Sequence, residues 1–414
     1  MVFRAVKGTH DILPTESRRW QEMEEIIHSV ATRFGYAEIR TPIFENTALF
    51  SRSVGEETDI VSKEMYSWED RSGGHLTLRP ELTAPVVRAY IQHNLGSASP
   101  LQKLYYLGPL FRRERPQKGR QRQFHQFGIE AFGSEHPEQD VEIIALASQL
   151  FSELKIPNIT LKLNSIGSSE CRAIYRNALR DYLQPYQNDL SETSQIRLEN
   201  NPLRILDTKI PHEKDILQQA PSISAYWTQD DREHFEKIQW LLKELNIPFI
   251  LDETLVRGLD YYTRTTFEFQ AGNLGAQDAV CGGGRYDHLV EVLGGKPTPS
   301  IGFAIGLERI MLSMKTRNTG KNSNSIYLIN LGNSSIGFAL QVAGNLRKHN
   351  HTVTMDTLHR SLKAQLREAN KLGSSKVIII GEEEFKNNSV QIKDLNQGNQ
   401  EEVGVDDLVN YFTV

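Results

Sequence analysis

The chain has 414 residues, of which 24% are charged and 39% are hydrophobic, with a formal net charge of −5 and a pI of about 6.2. This length predicts two or three domains of ordinary globular composition. The acidic balance excludes sequence-independent coating of nucleic acid, so any RNA contact would come from local basic patches, and no DNA partner is expected.

Cysteine usage and hydropathy limit the cellular setting. The chain has only two cysteines, Cys171 and Cys281, which are not clustered and form no CxxC, so the sequence supports neither a disulfide framework nor a cysteine zinc site, and a reducing compartment fits. The N-terminus lacks an apolar core, and no apolar run reaches membrane length. These features predict a cytoplasmic protein without a membrane partner, with a processed organellar form as the alternative.

The N-terminal stretch predicts a helix followed by a strand. Apolar side chains recur at helical spacing from Trp20 to Phe34, and Gly35 is placed to end the helix. Residues 36–44, YAEIRTPIF, have the composition of a strand, and Pro42 suits the edge of a sheet.

Residues 104–132, LYYLGPLFRRERPQKGRQRQFHQFGIEAF, predict a β-hairpin with a long polar loop. From Arg112 to Arg122 the loop has six basic residues and one acid, Glu114. A solvated hairpin tip and an anion-binding loop both fit this charge. Side chains alternate along a strand, so the return strand is expected to have one core face and one polar face. Gly128 on the polar face has no side chain, and we expect it to let a flat ligand approach the backbone. The polar face carries Phe124, Gln126, Gly128 and Glu130.

The middle of the chain predicts helices around one strand. Residues 140–154 space their apolar side chains as an amphipathic helix, and residues 159–167, ITLKLNSIG, predict a strand and turn. From about 168 to 245 the chain is polar, helical and poor in motifs. We interpret this stretch as an inserted helical subdomain.

Three glycine-containing stretches follow. They match neither a P-loop nor a dinucleotide-binding fingerprint. These are LVRGLDYY at 255–262, CGGGRYD at 281–287 and SIGFAIGLER at 300–309. No GK[ST] follows a glycine run, and GGGRYD lacks the third glycine of a dinucleotide fingerprint. The glycines instead predict close approach of the backbone to a ligand.

A polar linker, residues 317–325, marks a domain boundary. Beyond it, residues 326–331, 352–355 and 377–380 predict strands separated by helices, which is typical of an α/β unit with a mostly parallel sheet. Four basic residues at helical spacing would form a stripe that is either a solvated face or an RNA contact. They are Arg360, Lys363, Arg367 and Lys371.

Several of these stretches resemble the class II aminoacyl-tRNA synthetases, and closely the histidyl-tRNA synthetase family. The N-terminal helix and strand resemble motif 1, which builds the dimer interface of the family. FRRERP with QFHQFGIEAFG resembles motif 2, and GLER resembles motif 3. LVRGLDYY and CGGGRYD are similar to the two signatures peculiar to the histidyl enzymes, and RSLKAQLREANKLG resembles their anticodon-binding module.

The resemblance implies that four arginines converge on the triphosphate of ATP, for which a planar, permanently charged guanidinium is suited. Arg112 and Arg257 would be the catalytic residues at the α-phosphate, although an ordinary ion pair is the alternative for Arg257. Glu114 would meet the adenine edge and Phe124 would stack on the ring, while Arg309 would meet the γ-phosphate. The implied ATP contacts are Arg112, Glu114, Arg120, Phe124 and Arg309.

The resemblance also implies a histidine site. The segment RPEL matches the family's RPEGTA, whose Glu and Thr receive the amino group of the substrate; Leu82 stands where glycine is frequent. Glu130 and Tyr262 would hold the imidazole, which offers a donor and an acceptor. A helix N-terminus favoured by the Glu81 charge is the alternative for RPEL. The implied contacts are Glu81, Thr83, Gln126, Glu130 and Tyr262.

The implied fold is an α+β catalytic domain on an antiparallel sheet over residues 1–320, with the helical insertion at about 168–245 and an α/β anticodon-binding domain at 325–414. The implied protein is a homodimeric histidine–tRNA ligase, which uses ATP and Mg²⁺ to charge tRNA(His), with Arg115 as a tRNA contact and no assigned metal ligand. The alternative is a non-catalytic, histidine-sensing regulatory paralogue of a phosphoribosyltransferase, which would need neither all four arginines nor the anticodon module.

Overall fold

The computed structural model describes residues 2–55, 58–117, 119–256, 261–272, 279–314 and 325–413. The chain divides into two compact units, Met1–Lys315 and Thr316–Val414. Among the described helices, none is long and apolar enough to cross a lipid bilayer.

The first unit combines eleven described strands with helices of very different lengths. Its strands are β1 (Ala37–Glu38), β2 (Phe44–Asn46), β3 (Tyr66–Glu69), β4 (His75–Leu78), β5 (Gln102–Phe111), β6 (Gln123–Phe132), β7 (Ile159–Ser165), β8 (Phe249–Leu251), β9 (Thr263–Ala271), β10 (Ala279–Arg285) and β11 (Ser300–Gly306). Its helices are α1 (Pro14–Arg33), α2 (Thr47–Val54), α3 (Thr83–Gln92), α4 (Leu95–Ala98), α5 (Pro137–Glu153), α6 (Ser169–Leu183), α7 (Glu192–Asn200), α8 (Pro211–Leu217), α9 (Gln229–Glu244), α10 (Leu289–Val292) and α11 (Leu307–Ser313). Shorter turns are a π-helical turn, Ile60–Glu64, and the 3-10 turns Gln184–Asp189, Pro202–Ile205 and Ile223–Tyr226.

An eight-stranded sheet in the order β1-β5-β6-β11-β10-β9-β7-β8 forms the centre of this unit. Only its outermost pairs, β1 with β5 and β7 with β8, are parallel. The sheet is therefore built mainly from antiparallel neighbours, which confirms the predicted fold class. A separate small sheet has the order β2-β4-β3.

One face of the large sheet is covered by helices. Trp20 to Val30 of α1, Ile144 of α5 and Ile238 of α9 share one apolar core with Phe127 and Ile129 of β6. The apolar face that alternation predicted for β6 is thus confirmed. Burial of this apolar surface supplies the main stabilisation of the unit.

The helical stretch after β7 is divided between two cores. Tyr175 and Leu179 of α6 pack with Leu198 of α7 in a core of their own. The last helix, α9, instead buries Phe235 and Ile238 in the main core. The helices of this stretch are thus shared between the sheet and a smaller helical body.

The predicted continuous strand over residues 36–44 is wrong. The chain forms two strands, β1 and β2, which belong to different sheets. The guanidinium of Arg79 donates to the carbonyls of Thr41 and Pro42 at 2.7 and 3.1 Å. These two carbonyls therefore bond to a side chain instead of to a neighbouring strand. Pro42 also has no N–H to give to one.

The second unit is an α/β fold. Its strands are β12 (Ser325–Asn330), β13 (Thr352–Met355), β14 (Lys376–Ile380), β15 (Ser389–Asp394) and β16 (Gln400–Gly404), and its helices are α12 (Ile336–Lys348), α13 (Leu362–Leu372), α14 (Glu382–Asn387) and α15 (Leu408–Thr413), with a 3-10 turn at Val405–Asp407. The sheet order is β13-β12-β14-β15-β16, with β12 parallel to both its neighbours and the last pairs antiparallel. The three strands predicted from the sequence are confirmed.

The predicted basic stripe has three helical members rather than four. Lys363, Arg367 and Lys371 are exposed on α13. Arg360 precedes the helix, and its Nε donates to Asp356 at 2.6 Å. Its charge is therefore balanced by an acid within the loop.

Candidate active site

A cavity of about 800 Å³ opens on the face of the large sheet that the main helices leave uncovered. It is bordered by β6, β9, β10 and β11, by the start of α3, and by Thr208 and Lys214 of the helical stretch. Gln126 and Glu130 line it, so the polar face predicted for β6 is confirmed. Every candidate ATP-binding or histidine-binding residue in the described part of the chain borders this cavity.

The basic hairpin forms as predicted and is fixed at both ends of its loop. β5 and β6 pair from Phe111 opposite Gln123 to Gln102 opposite Phe132. The N–H of Arg112 donates to the carbonyl of Arg122 at 2.9 Å, which closes the loop. The N–H of Arg122 donates to the carbonyl of Gly8 at 2.7 Å and ties the loop to the N-terminal segment.

Arg112 is held against the start of α3 and the return strand. Its Nε donates to the carbonyl of Pro80 at 2.9 Å, and its guanidinium carbon lies 5.2 Å from the centre of the Phe124 ring. The carboxylate of Glu114 lies between two arginines, 3.8 Å from Arg112 and 3.2 Å from Arg120. Burial lowers the pKa of Arg112, and the nearby Glu114 opposes this shift.

Arg309 of α11 reaches the same end of the cavity. Its Nη1 donates to the carbonyl of Ala279 at 2.6 Å, and its Nε donates to that of Gly119 in the hairpin loop at 3.5 Å. Burial and then the charge of Arg120 lower the pKa of Arg309. Repulsion between these cations would be relieved by an anion, which is the property a triphosphate site needs. Arg257, the fourth predicted arginine, lies outside the described residues.

Glu130, which also lines the cavity, is surrounded by hydroxyl groups. Its carboxylate is only 1% exposed. Oε1 accepts from Thr83 at 2.7 Å and from Tyr106 at 3.2 Å, and Oε2 accepts from Tyr286. Burial raises the pKa of Glu130 to about 8, although the hydrogen bonds from Tyr286 and Thr83 act in the opposite direction. In its ionised form a carboxylate has about four acceptor positions, so after these three hydrogen bonds one remains for a ligand N–H.

The glycines beside Glu130 make room for protein groups rather than for a ligand. A Cβ on Gly128 would collide with the phenol of Tyr106, its partner on β5. A Cβ on Gly302 would collide with the carboxylate of Glu130, its partner on β6. The expectation that Gly128 leaves space for a flat ligand is wrong, because Tyr106 fills that space.

The segment RPEL caps a helix and borders the cavity. The carboxylate of Glu81 accepts the backbone N–H of Thr83 at 2.7 Å and that of Ala84 at 2.9 Å, so it satisfies the N-terminus of α3. Burial raises the pKa of Glu81, while these two backbone bonds oppose the shift. Leu82 is 2% exposed and has φ −115° and ψ −15°. This conformation is open to any L-residue, so glycine is not required here.

The remaining predicted residues divide between cavity and surface. Gln126 and the buried Tyr262 line the cavity, and the carbonyl of Tyr262 accepts from Nη1 of Arg172 at 2.6 Å. Arg115 is exposed on the hairpin loop, away from the cavity lining.

Sequence reasoning missed Tyr106 and Tyr286, which both donate to Glu130. Tyr106 lies directly opposite Gly128 in the hairpin register, and Gly128 shares a face of the sheet with Glu130. The signal that could have found Tyr106 is this register, which follows once the residues at the two ends of the loop are known. Tyr286 follows the last residue of β10, and only the tertiary fold brings it to Glu130, 156 positions away.

Known proteins resemble this chain over its whole length. A family model described as histidyl-tRNA synthetase matches residues 8–310, and one described as an anticodon binding domain matches residues 325–414. A histidine–tRNA ligase of Thermosynechococcus vestitus is 49% identical over 401 residues, covering 97% of this chain and 94% of the relative. One of Chloroherpeton thalassium is 47% identical over 414 residues, covering 99% and 97%. The crystal structure of apo histidyl-tRNA synthetase from S. aureus matches with a TM-score of 0.85 and 34% identity, covering 100% of each chain.

Proposed function

We propose that this chain, which belongs to the histidyl-tRNA synthetase family, is a histidine–tRNA ligase that activates L-histidine with ATP and transfers it to the 3′ end of tRNA(His). The observation that carries this function is one cavity whose lining includes both a buried carboxylate, Glu130, and three arginines. The second unit matches an anticodon-binding model, which the regulatory paralogue would not need. This match favours the ligase.

The histidine side chain would bind at Glu130. The remaining acceptor position of the carboxylate suits an imidazole N–H, and the phenol of Tyr262 on the cavity wall suits the other ring nitrogen. The α-ammonium group would meet Glu81 and Gln126, and Glu81 keeps free lone pairs after its two backbone bonds. Thr83 donates its hydroxyl to Glu130, so its place in this site is to orient that carboxylate.

The nucleotide would bind at the arginine end. Arg112, Arg120 and Arg309 supply positive charge for the phosphates, Phe124 offers a ring face for adenine, and Glu114 can accept from its amino group. The histidine carboxylate would attack the α-phosphate in line and expel pyrophosphate. Arg112 would stabilise the charge that develops there, and the resemblance gives Arg257 the same role.

Mg²⁺ would enter with the triphosphate. Among the described residues, no cluster of three or more His, Cys, Asp or Glu side chains could hold a metal. Mg²⁺ does not need a cluster of that kind, because it keeps several waters and is usually held by substrate phosphates together with one or two carboxylates. Glu114 and Glu268, which line the cavity and whose negative charges raise the pKa of Arg309, would be available as carboxylates for the ion. The ion would neutralise charge on the phosphates.

In the second step, the terminal ribose hydroxyl of the tRNA would attack the carbonyl of the histidyl adenylate. No side chain is assigned as its general base, because an activated acyl group that is well positioned needs little further help. The exposed Arg115 is the proposed tRNA contact on the hairpin loop. Residues 1–320 would form the catalytic domain with its insertion at about 168–245, and residues 325–414 would bind the anticodon.

We further propose a cytoplasmic homodimer. The resemblance of the N-terminal helix and strand to motif 1 supports a dimer. So do Phe44 and Trp68, two exposed aromatic residues of the small sheet whose ring centres lie 6.2 Å apart.

Exchange of labelled pyrophosphate into ATP, measured with each of the twenty amino acids in the absence of tRNA, tests the activation step. We expect exchange with histidine alone. If the folded protein bound histidine but catalysed no exchange, the regulatory paralogue would replace the ligase as the explanation.

A further inference from the structure

Arg285, the last residue of β10, is a buried cation outside the cavity lining. Its side chain is 1% exposed. Nε donates to both oxygens of Asp140, at 3.1 and 2.9 Å, and Nη1 donates to Asp287 at 2.9 Å. Nη2 donates to the carbonyls of Ser134 and His136, at 2.9 and 3.3 Å. All three nitrogens of the guanidinium are therefore engaged.

Asp287, two residues later, is fixed just as firmly. Its Oδ1 also accepts the N–H of Ser300 at 3.0 Å, and its Oδ2 accepts the hydroxyl of Thr263 at 3.0 Å. The backbone N–H of Asp287 donates back to Thr263 at 3.2 Å. Arg285 and Asp287 thus join the start of α5 to β9 and β11.

Tyr286 lies between these two anchored residues and points the other way, into the cavity. Its N–H donates to the carbonyl of Ser300 at 2.8 Å, and its hydroxyl donates to Glu130. A tyrosine side chain has only two torsions, so the position of its hydroxyl follows the position of its backbone. Any displacement of residues 285–287 would therefore move the hydroxyl relative to Glu130.

We infer that Arg285 is a positioning residue for histidine recognition, because by joining Asp140 to Asp287 it holds the backbone from which Tyr286 reaches Glu130. This role rests on the proposed function. Burying an ion pair is a weak route to stability, since desolvation of the charges offsets their attraction. The buried ion pairs of Arg285 with Asp140 and Asp287 are better explained by a role in fixing the geometry of the binding group Tyr286.

Arg285→Lys tests this role in the pyrophosphate exchange assay. A lysine retains the charge but cannot donate to Asp140, Asp287 and two carbonyls at once. We expect the KM for histidine to rise by about tenfold, the loss associated with one hydrogen bond to a charged group, while the KM for ATP stays within about twofold. Equal increases in both KM values would overturn the positioning role.

A double-mutant cycle separates action through Tyr286 from general damage. In a Tyr286→Phe background the hydroxyl that Arg285 positions is absent. Arg285→Lys should then change the KM for histidine by less than about twofold. If the two effects multiply instead, Arg285 does not act through Tyr286.

Asp287→Asn provides a second variant in case Arg285→Lys does not fold. It keeps the size of the side chain but removes the negative charge beside Arg285, so the KM for histidine should rise and the KM for ATP should not. Asp231→Asn is the matched control. Asp231 is more deeply buried than Asp287, accepts from the N–H and hydroxyl of Ser168 at 3.1 and 2.9 Å, and likewise lies close to an arginine, at 3.4 Å from Arg264.

The control should lose stability without any change in the KM for histidine. A rise in that KM in Asp231→Asn, or none in Asp287→Asn, would overturn the inference. Failure of the proposed function is distinguishable, because the wild-type protein would then show no histidine-dependent exchange.

Discussion

Thr83 donates its hydroxyl hydrogen to Oε1 of Glu130 at 2.7 Å, although the two residues are 47 positions apart. The bond joins the first residue of α3 to β6, and both residues line the cavity. It also orients a buried carboxylate that has no charged partner among its hydrogen bonds. The chemistry of Glu130 therefore depends on hydroxyl donors from several elements.

The protonation of Glu130 should make the free energy of unfolding depend on pH. Burial raises its pKa from 4.5 to about 8, so the folded state binds this proton more tightly than the unfolded state does. The free energy of unfolding should then fall as the pH rises from about 5 to about 8. In Glu130→Gln this contribution is absent. In urea denaturation, the free energy of unfolding of the variant relative to that of the wild type should increase from about pH 5 to about pH 8, by an amount on the order of a few kcal/mol.

Glu213→Gln is the control of opposite sign. Burial raises the pKa of Glu213, but hydrogen bonds led by that from Thr208 outweigh it and lower the pKa overall. Its contribution should be present above the unfolded pKa and lost as the pH falls. The Gln variant should therefore be less stable than the wild type at neutral pH and approach it in acid. A pH-independent difference for Glu130→Gln would contradict the assignment of a raised pKa.

Gly302→Ala should damage the proposed histidine site. A Cβ at this position would collide with the Glu130 carboxylate and the backbone carbonyl of Ile129. We expect a loss of about 1–3 kcal/mol in stability and a raised KM for histidine in pyrophosphate exchange. Gly337→Ala, in α12, is the control, since no atom lies within 4 Å of its added Cβ. It should gain about 0.5–1 kcal/mol and leave exchange unchanged.

Arg309→Gln should weaken the binding of ATP rather than of histidine. The neutral amide cannot supply charge to a phosphate, so the KM for ATP should rise by about tenfold or more. Arg180→Gln is the control, because Arg180 also donates to backbone carbonyls, those of Leu198 and Glu199, but does not line the cavity. Steady-state exchange at varied ATP decides the matter, and an equal effect in both variants would argue against a phosphate contact.

Arg115→Ala should separate the two steps of the reaction. The residue is exposed and lies outside the cavity lining, so pyrophosphate exchange should remain unchanged. Transfer of histidine to tRNA(His) should slow, with a weaker dependence on salt, because one phosphate contact is lost. Arg18→Ala, at an exposed ion pair with Glu22 on α1, should affect neither step. A normal rate of aminoacylation in Arg115→Ala would remove the proposed contact.

Local patterns predicted much of the fold. The hairpin of β5 and β6, its alternating faces, helix α1 and the strands β12, β13 and β14 follow from periodicity and turn residues. Antiparallel β15 and β16 were missed, and the strand over 36–44 was predicted as continuous. In that stretch a side chain from residue 79 takes the backbone acceptors, and no local pattern reports such a contact.

The sequence by itself determined the family, the order of the motifs and a set of candidate residues that line the cavity, because these depend on residue type and spacing along the chain. Only the tertiary structure decided how those residues are used. It placed Tyr106 and Tyr286 on Glu130, filled the space beside Gly128, and showed that the carboxylate of Glu81 does cap α3, which the sequence had offered as one of two interpretations. The reason is physical: periodicity shows which way a side chain points, whereas its hydrogen-bond partner depends on which distant elements pack against it.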